Sequence, residues 1–395
     1  MSHAVIPHHT EIVARTRHLP ESVDPLAILA TDEFAWSHDG VEFATSGVVA
    51  RVPVDDVDEA LATIAVDDEV GSPGTGAIAV GALPFDARAA ADLVIPATVV
   101  GRDANGRGWL TQLGPPAPRP PSAGSEPTRF TVSRQSDHHA WNAAVTRVLD
   151  EIGAGRVRKV VLAREVRVEA DTPFDHAQVA MRFRDDQPGC IVFAAAGLIG
   201  ASPELLVLRD GLKVSSHPMA GTSSLVDPDA LARLAASTKN AAEHRLVIEA
   251  VSEMLDRWCE QPVHVDGPTV VRFGRLAHLA THIDGRLPAG FAPSALALAR
   301  ALHPTPAVGG TPRGAALDLI DELEPQGRGR YAAPVGWVDA AGNGAWAVAL
   351  RSAEIDGASA VLRAGAGIVA GSDPASEWAE TEAKLAPALA ALVRP

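Results

Sequence analysis

Two hydrophobic rhythms run along the chain. In residues 136–155 (SDHHAWNAAVTRVLDEIGAG) apolar positions recur at helical spacing behind a Ser/Asp cap and ahead of glycine, which predicts a helix with a defined start and stop. Residues 239–258 (KNAAEHRLVIEAVSEMLDRW) repeat that rhythm, with Leu246, Val247, Ala250 and Met254 as the apolar stripe and Glu243 projecting onto it. A carboxylate that points where the core points must meet a cation, accept several hydrogen bonds or stay protonated. A third helix is predicted near the C-terminus, where Glu377, Glu380 and Lys384 of EWAETEAK share one face and Trp378, Leu385, Leu389 and Leu392 another. Read alone, Glu380 and Lys384 are an i, i+4 surface ion pair.

Elsewhere the rhythm shortens to two. Residues 42–52 (EFATSGVVARV), 75–86 (TGAIAVGALPFD), 156–170 (RVRKVVLAREVRVEA) and 190–200 (CIVFAAAGLIG) read as strands between turn formers. Residues 204–218 and 345–371 each read as strand, turn, strand, pivoting on Asp210-Gly211 and Asp356-Gly357. Strands that come in hairpins with helices between groups of them predict an α+β fold with largely antiparallel sheet. The Pro/Gly/Ser-rich run 113–127 (LGPPAPRPPSAGSEP) divides an N-terminal part, 1–127, from a larger C-terminal part, 128–395, within one expected structural unit.

Composition narrows the class. The chain has 395 residues, 47% of them hydrophobic, and a formal net charge of -15, so a nucleic-acid partner is not expected and an anionic ligand must meet local positive charge. Two cysteines without zinc-type spacing, and no apolar run of membrane-spanning length, point to a reduced cytoplasmic compartment and no membrane partner. The three histidines of HAVIPHH (3–9) are explained by a flexible terminus rather than a metal site.

Several positions then stand out chemically. Lys159 alternates with Val157 and Val161 on one strand face, and it is one of only four lysines among 34 basic residues. Burial can turn a lysine into a neutral base, which a guanidinium cannot become. Glu204 follows Ser-Pro at the start of an apolar run, so a turn delivers it to a strand end; its null role is an edge charge. Glu243 with Glu377 and Glu380 offers oxygen ligands on two helices, which suits Mg2+ better than zinc. Arg351 and Lys384 are candidate carboxylate binders, and the glycine-rich runs 219–224 and 364–371 allow close approach of backbone to a ligand.

In order along the chain, KVVLAR, GASPELL, MAGT, EHRLV, LHPTPAVGGTP, RYAAPVGW, VALRSA and GAGIVAGSDPASEWAETEAK resemble the motifs of the chorismate-utilising enzymes, specifically isochorismate synthases of menaquinone and siderophore pathways. The likeness covers most of 155–392, and GALPFD (81–86) matches an N-terminal element. It implies two facing sheets with helices outside and the active site between them. By the same resemblance Lys159 is the general base that activates water for attack at C2 of chorismate, and Glu204 is the general acid, with a raised pKa, that protonates the departing C4 hydroxyl. Glu243 and Glu380 match Mg2+ ligands, with Glu377 acting through water. Tyr331, Arg351 and Lys384 match residues that hold the substrate carboxylates. His278, the backbone of Gly365, Ala366 and Gly367, and the Ala220, Gly221, Thr222 loop line the pocket.

The resemblance also sorts subfamilies. Relatives that use ammonia carry Gln at the Lys159 position, and relatives that make aminodeoxychorismate carry a nucleophilic Lys at the Ala220 position. Water is therefore the implied nucleophile, no glutamine amidotransferase partner is expected, and a monomer is the family expectation. A salicylate synthase, which goes on to eliminate pyruvate, shares nearly all these motifs, and a noncatalytic chorismate-binding protein on the same fold is the reading from another class. Asn240, Arg330 and Ala333 depart from the pattern, which bears on metal affinity and pocket shape.

Overall fold

The structure is a computed structural model that describes residues 12–393 apart from 22, 115–125, 136 and 226–228. The N-terminal histidine run and most of the 113–127 run lie outside the described residues.

The helix predicted after the Pro-rich run spans His138–Gly153, and the Asp137 carboxylate accepts the Ala140 N–H at its N-terminus. Both Asp-Gly pairs turn hairpins: Leu205–Asp210 pairs antiparallel with Lys213–His217, and Ser352–Asp356 with Ser359–Ile368. Gly211 and Gly357 take φ of 58° and 57°, the left-handed conformation those turns require. Residues 190–200, read as strand, fold back on themselves as Ile191–Ala195 and Leu198–Ser202. Ala196 and Gly197 make that turn, both at positive φ, a geometry that the apolar pattern of the segment conceals.

Hydrogen-bonded neighbours connect the strands into one curled sheet with two arms. The first arm runs from Phe130–Arg134 through Lys159–Ala170, Ser359–Ile368, Ser352–Asp356, Leu198–Ser202, Ile191–Ala195 and Phe34–His38 to the long strands Val41–Pro53 and Asp92–Arg102. The second leaves Asp92–Arg102 by the bridge Val80–Val94 and continues through Ile78–Ala82, Pro334–Asp339, Gly344–Val348, Leu205–Asp210 and Lys213–His217 to Leu276–Arg286. There Met219–Ser224 and His264–Phe273 pair with Leu276–Arg286. The expected α+β fold with facing, largely antiparallel sheets takes the form of two arms of one continuous curled sheet. The arms do face each other, but Asp92–Arg102 pairs into both and leaves no open edge between them.

An aromatic core fills the space between the arms, joining Trp36, Phe43 and Phe193 of the first to Val80, Val335 and Trp337 of the second. Phe43 meets Trp337 edge-on, with centroids 5.9 Å apart. Helices cover the outer surfaces: His176–Asp186 and Pro374–Leu392 on the first arm, and Thr238–Asp256 and Ala295–Leu302 on the second. No helix among the described residues is long and apolar enough to cross a membrane.

Phe193→Ala removes a fully buried ring from the inter-arm core and is expected to cost about 3–5 kcal/mol of unfolding free energy. Phe291→Ala, at a ring 74% exposed, is expected to stay within about 0.5 kcal/mol. Urea unfolding of the two variants checks both values.

Candidate active site

The strand Ser359–Ile368 forms the floor of a cavity between the two arms, toward the ends that lie away from Asp92–Arg102. Arg363, Ala364, Gly365 and Gly367 line the cavity, while the Ala366 side chain packs in the hydrophobic core. Of the Gly365–Gly367 backbone expected at the pocket, the two glycines are on the cavity wall. A Cβ on Gly367 would lie 2.3 Å from Glu243 Oε1 and 2.9 Å from Lys159 Cε, so a side chain there must push both away. A Cβ on Gly365 would press on Val161 at 2.9 Å.

Glu204, Ala220, Gly221, Thr222, Glu243, His278, Tyr331, Arg351 and Lys384 share the cavity wall with these glycines. Gly221 adopts φ 76°, and a Cβ there would crowd Asn240, so the turn that presents Ala220 and Thr222 needs glycine. Asn240, a departure from the family pattern, thereby packs against the cavity loop. Arg330 turns elsewhere, donating to the carbonyls of Ala195 and Ala196, and Ala333 is buried in the core.

Glu204 reaches the wall from the end of the Leu198–Ser202 strand, held by its N–H donating to Ser202 Oγ at 3.1 Å. Burial pushes its carboxyl up to about 8, against the pull of Lys159 and Lys384. A carboxyl raised to about 8 keeps its proton at neutral pH.

Arg351 is the opposite case, a buried cation. Its guanidinium contacts His278 Nε2, lies 3.7 Å from Cys190 Sγ and faces the Phe273 ring, and no carboxylate pairs with it among the described residues. Burial lowers its pKa, and burial beside Arg351 and Lys384 holds His278 well below the usual histidine range. A guanidinium can only donate, so His278 Nε2 accepts and its Nδ1–H donates to Thr222 Oγ1 at 3.1 Å. Lys384 donates to Gly365 O at 2.9 Å, and the Tyr331 hydroxyl lies at the same glycine.

The three candidate metal ligands each meet a lysine. Glu243 Oε1 lies 2.8 Å from Lys159 Nζ, Glu380 Oε1 lies 2.7 Å from Lys384 Nζ, and Glu377 pairs with Lys239. Burial raises the Glu243 pKa, but Lys159, Lys384 and Lys239 outweigh it and the net shift is downward. Glu377 moves the other way, raised by burial and by the neighbouring Glu380. Lys159, Glu377 and Glu380 stand behind the cavity wall rather than in it.

Two sequence expectations need revision here. The buried stripe of Thr238–Asp256 is His244, Val247, Val251 and Leu255, one position round from the expected stripe, so Glu243 sits at its edge and reaches the cavity. Lys239 was not among the expected site residues. Its signal was visible, since it is one of four lysines and lies one helical turn before Glu243.

Among the described residues no three His, Cys, Asp or Glu side chains form a ready metal cage. The donor chemistry nevertheless fits a hard dication, being oxygen only, and the bare Cα of Gly367 leaves the Glu243 carboxylate room at the cavity edge. Gly367→Ala is expected to displace the Lys159–Glu243 pair and cost about 1–3 kcal/mol in urea unfolding.

The sequence model of the chorismate binding enzymes matches residues 110–393. MenF of Mycobacterium tuberculosis is 40% identical over 340 residues, covering 81% of this chain and 87% of the relative. The isochorismate synthase EntC of Escherichia coli K12 is 35% identical over 392 residues, covering 91% and 94%. The solved structure of MenF, the menaquinone-specific isochorismate synthase of Escherichia coli, superposes with a TM-score of 0.79 at 26% identity, covering 98% of this chain and 97% of that one. With a cavity built from the very motifs that carry the likeness, the chain belongs to the family of chorismate-binding enzymes.

Proposed function

We propose that the protein is an isochorismate synthase, converting chorismate to isochorismate by addition of water at C2 with loss of the C4 hydroxyl. The observation that carries this reading is the pairing, in one cavity, of a buried guanidinium that has no acid partner among the described residues and a carboxyl held protonated near neutrality. The first suits a substrate carboxylate and the second a leaving hydroxyl.

In this reading Arg351, Tyr331 and Lys384 orient the substrate carboxylates, and His278 keeps the Arg351 guanidinium in place without adding charge. Lys159 removes a proton from water as the O–C2 bond forms. The ring double bonds shift, the C4–O bond breaks, and Glu204 gives its proton to the hydroxyl, which departs as water. Ala220 offers no nucleophile of its own, so water is the species added, and the reaction calls for no amidotransferase subunit. Glu243, Glu380 and Glu377 would hold Mg2+, which when bound supplies positive charge to a dianionic substrate in an acidic protein.

Chromatography of products from chorismate, with and without Mg2+, coupled to a pyruvate assay, tests the proposal. Isochorismate without pyruvate is expected, and activity lost to EDTA is expected to return with Mg2+. Salicylate with stoichiometric pyruvate would move the assignment to a salicylate synthase.

Lys159→Ala is expected to lower kcat by about 10²–10⁴-fold while chorismate binding stays measurable by calorimetry. Unchanged turnover would remove Lys159 from the mechanism.

The sign of the pH dependence follows from Glu204. As an acid with its pKa raised from 4.5 to about 8, it carries its proton below pH 8 and loses it above. The alkaline limb of kcat/KM is expected to have its midpoint near 8, and a profile flat through that region would contradict the acid role.

A further inference from the structure

Lys159 is closed off where its proposed role needs it open. Its side chain is 0% exposed, and although Val161, two residues on, lines the cavity, Lys159 does not. The group that stands at the cavity in its stead is Glu243, whose Oε1 touches Nζ at 2.8 Å. That contact is an ion pair, and among the described residues the buried Nζ has no other polar partner. Both side chains lean on the same bare backbone, at Gly367, which leaves no second layer between carboxylate and amine.

We propose that Glu243 is a gate for Lys159, closing the amine off from the cavity, and that a divalent cation taken up by Glu243 draws the carboxylate away and opens Nζ to the reacting water. The inference rests on the reading of Glu243 as a cation ligand. The Glu243 oxygen that fills the contact with Lys159 Nζ cannot at the same time coordinate a dication. A dication is the stronger competitor for the carboxylate, and rotation about the Glu243 side-chain torsions is the movement the exchange requires. Glu380 and Glu377, on the helix Pro374–Leu392, give the carboxylate a place to turn toward, since Lys384 already feels Glu380 and Glu243 together. Glu243 then acts through Lys159 as a positioning residue in addition to holding the cation.

The test needs no turnover. The full chain, without chorismate, is treated with formaldehyde and dimethylamine-borane in EDTA or in saturating Mg2+, and lysine methylation is read by peptide mass spectrometry. Lys213, exposed on the Lys213–His217 strand, is the internal reference for reagent and fold. Lys159 is expected to be protected in EDTA and to react about tenfold faster or more in Mg2+, with Lys213 unchanged. Glu243→Ala is expected to make Lys159 reactive in both conditions, and the wild-type comparison decides the matter if that variant does not fold. Mn2+ binding followed by electron paramagnetic resonance separates the failures. Bound Mn2+ with Lys159 still protected, or Lys159 already reactive in EDTA, overturns the gate alone, whereas no Mn2+ binding overturns the gate together with the metal reading.

Discussion

The contact between Lys159 and Glu243 is the point on which the site is built. It ties the strand Lys159–Ala170 of one arm to the helix Thr238–Asp256 that covers the other, across the end of the cavity. Neither charge could lie there alone. An unpaired ion so deeply buried would cost several kcal/mol, and removing one partner of a buried pair typically costs about 3–5 kcal/mol. Two further pairs, Lys239 with Glu377 and Lys384 with Glu380, repeat the arrangement and bring in the helix Pro374–Leu392. Three of the chain's four lysines are thus spent on one cluster of carboxylates, although Arg supplies nearly all the other positive charge. A compact ammonium on a flexible stem can leave its partner, whereas a bidentate guanidinium fork holds on.

Against this balanced cluster the rest of the cavity is deliberately unbalanced. Among the described residues Arg351 is buried without an acid and Glu204 without a direct cation partner, so one keeps an unpaired positive charge and the other keeps its proton. The same desolvation acts on both, with opposite results for an acid and a base. His278 completes the logic by remaining neutral. A charged imidazole beside Arg351 would repel it, while a neutral one accepts its hydrogen bond and passes a donor to Thr222.

Much of this was legible in the chain, and what was not has a common cause. The Asp-Gly hairpins, the Asp137 cap and the burial of Lys159 are local in origin, arising from turn chemistry or strand alternation within a few residues, whereas Glu204, read locally as an edge charge, is buried. The motifs carried the remaining site residues as a group, because they record a family's site rather than a local preference. What escaped is nonlocal. The bridge from Val80 to Val94 that makes two facing sheets one depends on a pairing no hydrophobic pattern encodes. The stripe of Thr238–Asp256 was displaced because His244, polar by composition, is buried with its Nε2 at Thr281 Oγ1, 2.8 Å away, while Leu246 and Met254 are only partly buried. Lys239 escaped because its partner Glu377 lies 138 residues away.

The departures from the family pattern can be sorted by the same geometry. Arg330 and Ala333 stand near Tyr331 in sequence, yet Arg330 secures the turn at Ala195 and Ala196 and Ala333 fills the core, so neither faces the ligand. Asn240 is different, for its Cβ would stand 3.0 Å from any Cβ on Gly221, in the loop that presents Ala220 and Thr222. It also lies one residue from Lys239 and one turn from Glu243. An acid at 240 would add a fourth negative charge to a cluster whose three carboxylates are matched one to one by lysines. Asparagine keeps the packing against Gly221 and leaves that match intact. The departure is therefore consistent with the charge balance on which the site rests.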